Sequence, residues 1–338
     1  MSENRSYNVN IPELLASLGI CSSVREIVPL SGGHLHRMYA VTPENGEKLA
    51  VKALNPGVMA RPEAMRNFIV SEEIASLAAR VVPAVPARRF DGRAVQESDG
   101  QFYLIYDFID GEPLYDYRLP GDACPKMGSI LYRLHRLDVS SVEFPEESVE
   151  VPEPRDWTAY LSRDAAWYTA LTACIDKLYE WDERCRRAQS RLRKTAVSHR
   201  DLEPKNVLWC GGEPRIIDWE AAGKVDPWYD LFENAVYWAK DADGDINWMR
   251  FTGFIGGYVG NLEKYPSVDW NIVADAGFGL LDWLEYNLKR SLGIECADEA
   301  ERRLGTEQVS ETLKTLDRYD RSVPVLIRWA QETVDFYW

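Results

Sequence analysis

The six cysteines include no Cys-x-x-Cys pair, and none of the four histidines is spaced to complete a zinc site. That excludes the common structural zinc modules. Free thiols without an export signal point to a reducing compartment, the cytoplasm. The first ten residues are polar and contain no apolar signal core. No run of about 18 apolar residues occurs, so no membrane-spanning helix is expected. Positive charge is also short: 39 Lys and Arg face 54 Asp and Glu, a net charge of −15. The one basic cluster, Arg186, Arg187, Arg191, Arg193 and Lys194, reads as a solvated helix face, and nucleic acid is not an expected partner. Tryptophan is missing from the first 156 residues, although the chain has twelve.

What is present is ordinary for a globular protein. The chain has 338 residues, 46% of them hydrophobic and 28% charged, enough for a core without disulfide or metal staples and for two lobes. Residues 28–30, 38–42 and 49–54 read as strands separated by turn residues, as do stretches within 87–110. Pro62 and Glu63 open a helix that runs to about Arg80, where Pro83 and Pro86 stop it. From about Lys126 the period changes: Ile130, Leu131, Leu134 and Leu137 recur at helical spacing, and almost everything after Asp230 follows suit. A boundary near Gly111 therefore separates a sheet lobe, 1–110, from a larger helical lobe, 111–338. The lobes carry net charges of −2 and −13, so the acidity belongs to the second.

The stretch richest in chemistry is His199-Arg200-Asp201-Leu202-Glu203-Pro204-Lys205-Asn206, followed by Ile216-Ile217-Asp218-Trp219. A hairpin joining 207–210 to 215–217 through Gly211-Gly212 places Asn206 and Asp218 together at its open end. An amide oxygen beside a carboxylate is a hard-oxygen pair suited to Mg²⁺ rather than zinc. Asp201, five residues before Asn206, faces the same point. A base near a hydroxyl, with Mg²⁺ on phosphates, is what phosphoryl transfer requires.

His-x-Asp-x-x-x-x-Asn, Ile-Asp-Trp, and Asp226-Pro227-Trp228-Tyr229-Asp230-Leu231 together resemble the aminoglycoside phosphotransferase and choline kinase superfamily, relatives of the protein kinases. The matching motifs run from about Ser31 to Leu231. The resemblance implies an α+β, protein-kinase-like two-lobed fold with a small N-terminal sheet lobe and a larger, mostly helical C-terminal lobe. It implies a phosphotransferase with an alcohol as acceptor, using Mg²⁺ and either ATP or GTP. Asp201 is then the catalytic base, and Asn206 and Asp218 are the metal ligands. Lys52, in Leu49-Ala50-Val51-Lys52, grips the phosphates and pairs with a helix glutamate: Glu72, on a stripe with Met65, Phe68 and Ile69, or its neighbour Glu73. Ser31, Gly32 and Gly33 form the loop over the phosphates, followed by an unusual His34-Leu35-His36-Arg37. The backbone of Asp107 and Ile109 meets the nucleotide base.

A protein kinase is the rival reading. Against it stand Glu203 where those enzymes carry lysine, the short distance from Asp218 to Asp230, and the lack of an Ala-Pro-Glu motif. A nucleotide binder without turnover is a third reading, opposed by the presence of Lys52, Asp201, Asn206 and Asp218 together. For the acceptor, Asp275, Asp282 and Glu285 share one helical stripe opposite Val273, Leu280, Leu284 and Leu288. A solvated acidic face is the plainer reading. A cleft wall for an aminoglycoside-like or other cationic substrate is the functional one, which would make the chain an antibiotic-resistance enzyme. The family also contains kinases for choline, homoserine, methylthioribose and fructosamines.

Overall fold

A computed structural model describes residues 7–30, 35–44, 46–145, 153–294, 296 and 299–338. Ser31, Gly32 and Gly33 lie outside the described residues. The first lobe begins with α1 (Ile11–Ser17), started by Asn10, whose side chain accepts from the Glu13 N–H. A five-stranded antiparallel sheet follows, in the order β1 (Val24–Leu30), β2 (Arg37–Pro43), β3 (Leu49–Ala53), β5 (Gln101–Asp107), β4 (Gln96–Ser98). One face is apolar: Val41, Leu49, Val51, Tyr103 and Ile105 close over Leu14 and Leu15 of α1. This leaves Lys52, next to Val51 in alternation, aimed at the other side of the sheet.

The short α2 (Pro56–Met59) leads to α3 (Ala64–Ala78). The sequence stripe put Ile69 inside with Glu72, but Ile69 is exposed. The buried face runs through Phe68, Ser71, Glu72, Ala75 and Ala78 instead. Val70, Ile74, Ala75 and Ala78 join the core of the larger lobe, against residues such as Leu131, Ile216 and Trp219. Helix α3 therefore spans the junction.

The crossing occurs at Gly111, where a Cβ would lie 2.9 Å from the Trp209 carbonyl oxygen. Only glycine lets the strands approach this closely. β6 (Glu112–Pro113) then pairs with β8 (Val207–Cys210), which forms the expected hairpin with β9 (Glu213–Ile216). Gly211 and Gly212 both have positive φ, as a tight hairpin turn requires. β7 (Ala196–Ser198) does not join that hairpin. It pairs with β10 (Gly223–Val225), a three-residue strand too short to leave a sequence pattern.

The rest is helical: α4 (Ala123–His135), α5 (Tyr168–Ala173), α6 (Ile175–Gln189), α7 (Pro227–Ala239), α8 (Trp248–Val259), α9 (Trp270–Ala276), α10 (Leu280–Ser291) and α11 (Glu299–Tyr337). The fold is thus α+β and kinase-like. Among the described residues no helix is long and apolar enough to cross a membrane.

The Asp-Pro-x-x-Asp-Leu motif builds the start of α7. Asp226 caps it, accepting from the Trp228 and Tyr229 N–H groups, and its second oxygen takes the Arg193 N–H. Asp230 is buried and accepts from the Ser198 hydroxyl at 2.6 Å and His135 Nε2 at 3.0 Å, so it anchors the strand that feeds the loop 199–206. Asp230→Ala should cost about 3 kcal/mol, because it leaves two buried polar groups without an acceptor. Urea denaturation followed by tryptophan fluorescence will show this, and a midpoint equal to wild type would contradict the anchoring role.

Candidate active site

The loop 199–206 starts where β7 ends. His199 is fully buried, with its ring edge on Trp219. Its Nε2 meets the Ile217 carbonyl oxygen at 2.9 Å, and its Nδ1 accepts the Asp201 N–H at 3.3 Å. These partners assign the neutral tautomer with hydrogen on Nε2, and burial holds the ring's pKa below the usual histidine value. His199 therefore ties the backbone of Asp201 to the end of the hairpin. Arg200, between them, takes a left-handed φ of 63°, which turns the chain sharply at this point.

Asn206 is buried below Asp201. Its amide nitrogen donates to the Asp201 carbonyl oxygen at 2.8 Å and to the Asp201 carboxylate at 2.9 Å. Both amide hydrogens are thereby engaged, and the side-chain oxygen Oδ1 remains as the acceptor atom of Asn206. Lys205 approaches the other Asp201 oxygen at 3.1 Å and Glu203 at 3.3 Å. The Ile217 N–H bonds to the Asn206 backbone carbonyl oxygen, bringing Asp218 to the same end of the hairpin. Asp218 also has a left-handed φ of 63°. That turn lifts its side chain out of the strand toward the sheet lobe.

There it meets Lys52. The ammonium lies 2.6 Å from Asp218 and 3.0 Å from Glu220, crossing from β3 to the helical lobe. Burial alone would pull Lys52 down, but the two carboxylates outweigh it and raise its pKa. Burial likewise pushes Glu220 up, yet His36 and Lys52 hold it down at about 2. His36 Nδ1 accepts the Asn55 N–H, and its Nε2 lies 3.3 Å from Glu220.

The Lys52–Glu72 pair expected from sequence does not form among the described residues. Glu72 is buried, as its stripe required, but its partners are the Ala87 N–H at 2.7 Å and the Tyr106 hydroxyl at 3.0 Å. Lys52 is near enough only to lower its pKa, and burial prevails, raising it. Glu73, the alternative, has no place in the cluster either. The partner of Lys52 is Glu220, which reading the motif alone missed. It stands two residues past Asp218, where an acid in Asp-Trp-Glu was the available signal.

At the edge of the sheet, Asp107 closes β5 opposite Leu49, and its carboxylate bonds to Arg88 on the outer surface.

The three acids of the stripe are already paired. Asp275 is bound by Arg184 at 2.8 Å. Asp282 and Glu285 are both bound by Arg155, and Glu285 also accepts from the Tyr160 hydroxyl at 2.6 Å. All three carboxylates are spent on arginines from other segments. They do not form a cleft wall waiting for a cation.

Comparison with known proteins agrees with this architecture. Residues 26–260 match the model of the phosphotransferase enzyme family. Homoserine kinase of Neisseria meningitidis serogroup B is 29% identical over 190 residues, which cover 53% of this chain and 57% of that enzyme. The solved structure of spectinomycin phosphotransferase with ADP and spectinomycin superposes with a TM-score of 0.66 at 13% identity, covering 93% of this chain and 99% of that one. A choline/ethanolamine kinase family protein from Mesorhizobium loti gives 0.56 at 17% identity, covering 92% and 96%. At these identities the two structures speak for the fold, whereas the family match spans more than half of the sequence and contains Lys52, Asp201, Asn206 and Asp218. The chain belongs to the phosphotransferase enzyme family.

Proposed function

We propose that the protein transfers the γ-phosphate of ATP or GTP to a hydroxyl of a small molecule. One observation carries this reading: Lys52 of the sheet lobe reaches Asp218 of the helical lobe, beside an Asp201 held by Asn206 and Lys205. Phosphates entering between the lobes take over the Lys52 ammonium. The acceptor oxygen forms a bond to the γ-phosphorus, its proton passes to the Asp201 carboxylate, and the bond to the bridging oxygen breaks, releasing the nucleoside diphosphate. Lys205, 3.1 Å away, holds the Asp201 carboxylate in position.

The donors present fit Mg²⁺. Asp218 offers a carboxylate and Asn206 an amide oxygen, and among the described residues no cluster of three His, Cys, Asp or Glu forms a cage for a softer or larger ion. Two protein oxygens completed by phosphates are the usual magnesium arrangement. The metal would supply charge neutralisation on the phosphates. Glu72 supports the site indirectly, holding Tyr106 and the Ala87 backbone beneath the strand that ends at Asp107. The backbone of Asp107 and Ile109 would receive the base. The cysteines of the described residues are free, as the cytoplasm would keep them.

The acceptor is a hydroxylated small molecule bearing an amine. The homoserine kinase relative favours a metabolite over an antibiotic. Incubation with γ-labelled ATP or GTP, Mg²⁺ and a set of amino alcohols, hydroxy amino acids and aminoglycosides should place label on a small molecule as a phosphomonoester. Label on protein would favour a protein kinase, and no label at all would favour a nucleotide-binding protein without turnover.

A further inference from the structure

One face of α7 carries Tyr229, Glu233 and Tyr237, and Lys240 follows at its end. With Tyr319 and Arg318 of α11 they enclose a cavity of about 120 Å³. The loop 199–206 does not line the cavity, but it is near enough for the charges of Asp201 and Glu203 to bear on both Glu233 and Tyr237, and for Glu203 to bear on Lys240.

Several half-buried charges of this lobe are matched, Arg155 with Asp182, Asp282 and Glu285, and Arg184 with Asp275 and Asp320. Glu233 accepts only the Tyr229 hydroxyl, at 2.6 Å, and among the described residues makes no ion pair. Lys240 lies over the Tyr237 ring at 4.6 Å and likewise makes no ion pair among them. Two half-buried charges of opposite sign therefore line one small cavity, with Arg318 beside them, and do not form an ion pair with each other. A ligand that bridges them would complete both. Burial pushes Glu233 up to about 7 and pulls Lys240 below the usual lysine value, although Glu203 and Glu233 act on Lys240 in the opposite sense.

Size narrows the ligand further. Pockets for drug-sized molecules span roughly 300–1,000 Å³. A cavity of about 120 Å³ suits a compound the size of an amino acid better than an aminoglycoside.

We propose that this cavity is the acceptor site and that the acceptor is a small zwitterionic alcohol, its ammonium at Glu233, its anionic group at Lys240 and its hydroxyl toward Asp201. The inference rests on the kinase reading above and concerns only which alcohol is phosphorylated. The same transfer applies: the alcohol oxygen bonds to the γ-phosphorus, its proton goes to Asp201, and the nucleoside diphosphate leaves.

Calorimetry on full-length Asp201→Asn protein with ADP and Mg²⁺ present measures acceptor binding without turnover. The zwitterionic probes are L-homoserine, L-serine, L-threonine and 4-hydroxyproline. The controls are 2-amino-1,4-butanediol, which lacks the carboxylate, 4-hydroxybutyrate, which lacks the amine, and kanamycin. At least one zwitterion should bind ten-fold or more tightly than every control. Adding Lys240→Gln should weaken that zwitterion at least ten-fold and leave the aminodiol unchanged. Adding Glu233→Gln should weaken the zwitterion and leave 4-hydroxybutyrate unchanged. Lys240→Arg should retain binding, which separates lost charge from lost folding. Equal or tighter binding of the aminodiol or kanamycin, no binding by any zwitterion, or indifference to Lys240→Gln would overturn the proposal. Binding of Mg²⁺–ATP to the unmodified protein is measured alongside, and its absence would overturn the kinase reading instead.

Discussion

Asp201→Asn is expected to lower kcat by about 10²- to 10⁴-fold, the usual worth of a positioned general base. The substitution changes little else. Asparagine has the shape of aspartate, and its side-chain oxygen can still accept from the Asn206 amide, which now holds the carboxylate at 2.9 Å. The backbone bonds from His199 and Asn206 to residue 201 do not involve the side chain. What disappears is the proton acceptor and the charge that draws Lys205 to 3.1 Å. Nucleotide affinity should therefore change little, because Lys52, Asp218 and Glu220 remain as they were. Steady-state kinetics with labelled nucleotide, beside calorimetry of Mg²⁺–ATP, reads both quantities. Turnover within a few-fold of wild type would remove Asp201 from the role of base.

Why Asp201, Asn206 and Asp218 could be read from sequence is a matter of local geometry. All three lie within one loop and one hairpin, so spacing alone fixes where they meet. The two-glycine turn at Gly211-Gly212 announces the hairpin, and its register does the rest. Lys52 was legible through the resemblance, which matches Leu49-Ala50-Val51-Lys52 to a phosphate-gripping strand lysine after an apolar run. Its partner was not. Periodicity showed that Glu72 points inward, but a buried acid can be satisfied by any buried donor, and Tyr106 with the Ala87 N–H arrived first. Both come from segments whose approach depends on the whole sheet.

The acidic stripe failed for the same reason in reverse. Helical spacing puts Asp275, Asp282 and Glu285 on one stripe, but the chain breaks at Gly277–Gly279, so Asp275 lies on α9 and only Asp282 and Glu285 share α10; spacing also says nothing of Arg155, more than a hundred residues earlier, or of Arg184 on α6. Solvation cannot be judged from one helix when its neighbour supplies the counter-charges. Lys240 and Glu233 show the complement. Neither belongs to a motif, and they stand out only once the folded lobe reveals which charges were left unmatched. The charge total of the lobe gave no hint, because paired and unpaired acids count alike.

Asp218→Asn is expected to raise the Kd of Mg²⁺–ATP by more than about 100-fold while leaving the weaker binding of metal-free ATP nearly unchanged. Even residues that merely orient metal ligands contribute about 10- to 100-fold to metal affinity, so loss of a carboxylate ligand should exceed that range. Asparagine is the informative replacement. Asp218 sits at φ 63°, a left-handed conformation that asparagine tolerates and alanine does not, so Asp218→Ala would mix backbone strain with lost ligation. Lys52 should stay in place, since Glu220 still holds it at 3.0 Å, and the lobes keep that bridge. Asn206→Ala should weaken Mg²⁺ linkage less, because it removes a neutral oxygen, but it should also lower kcat by freeing the Asp201 carboxylate from its amide donor. Titrations of ATP at several Mg²⁺ concentrations separate these effects. If the Asp218→Asn protein keeps the wild-type dependence of ATP affinity on Mg²⁺, Asp218 is not a metal ligand, and its contact with Lys52 is only a bridge between the lobes.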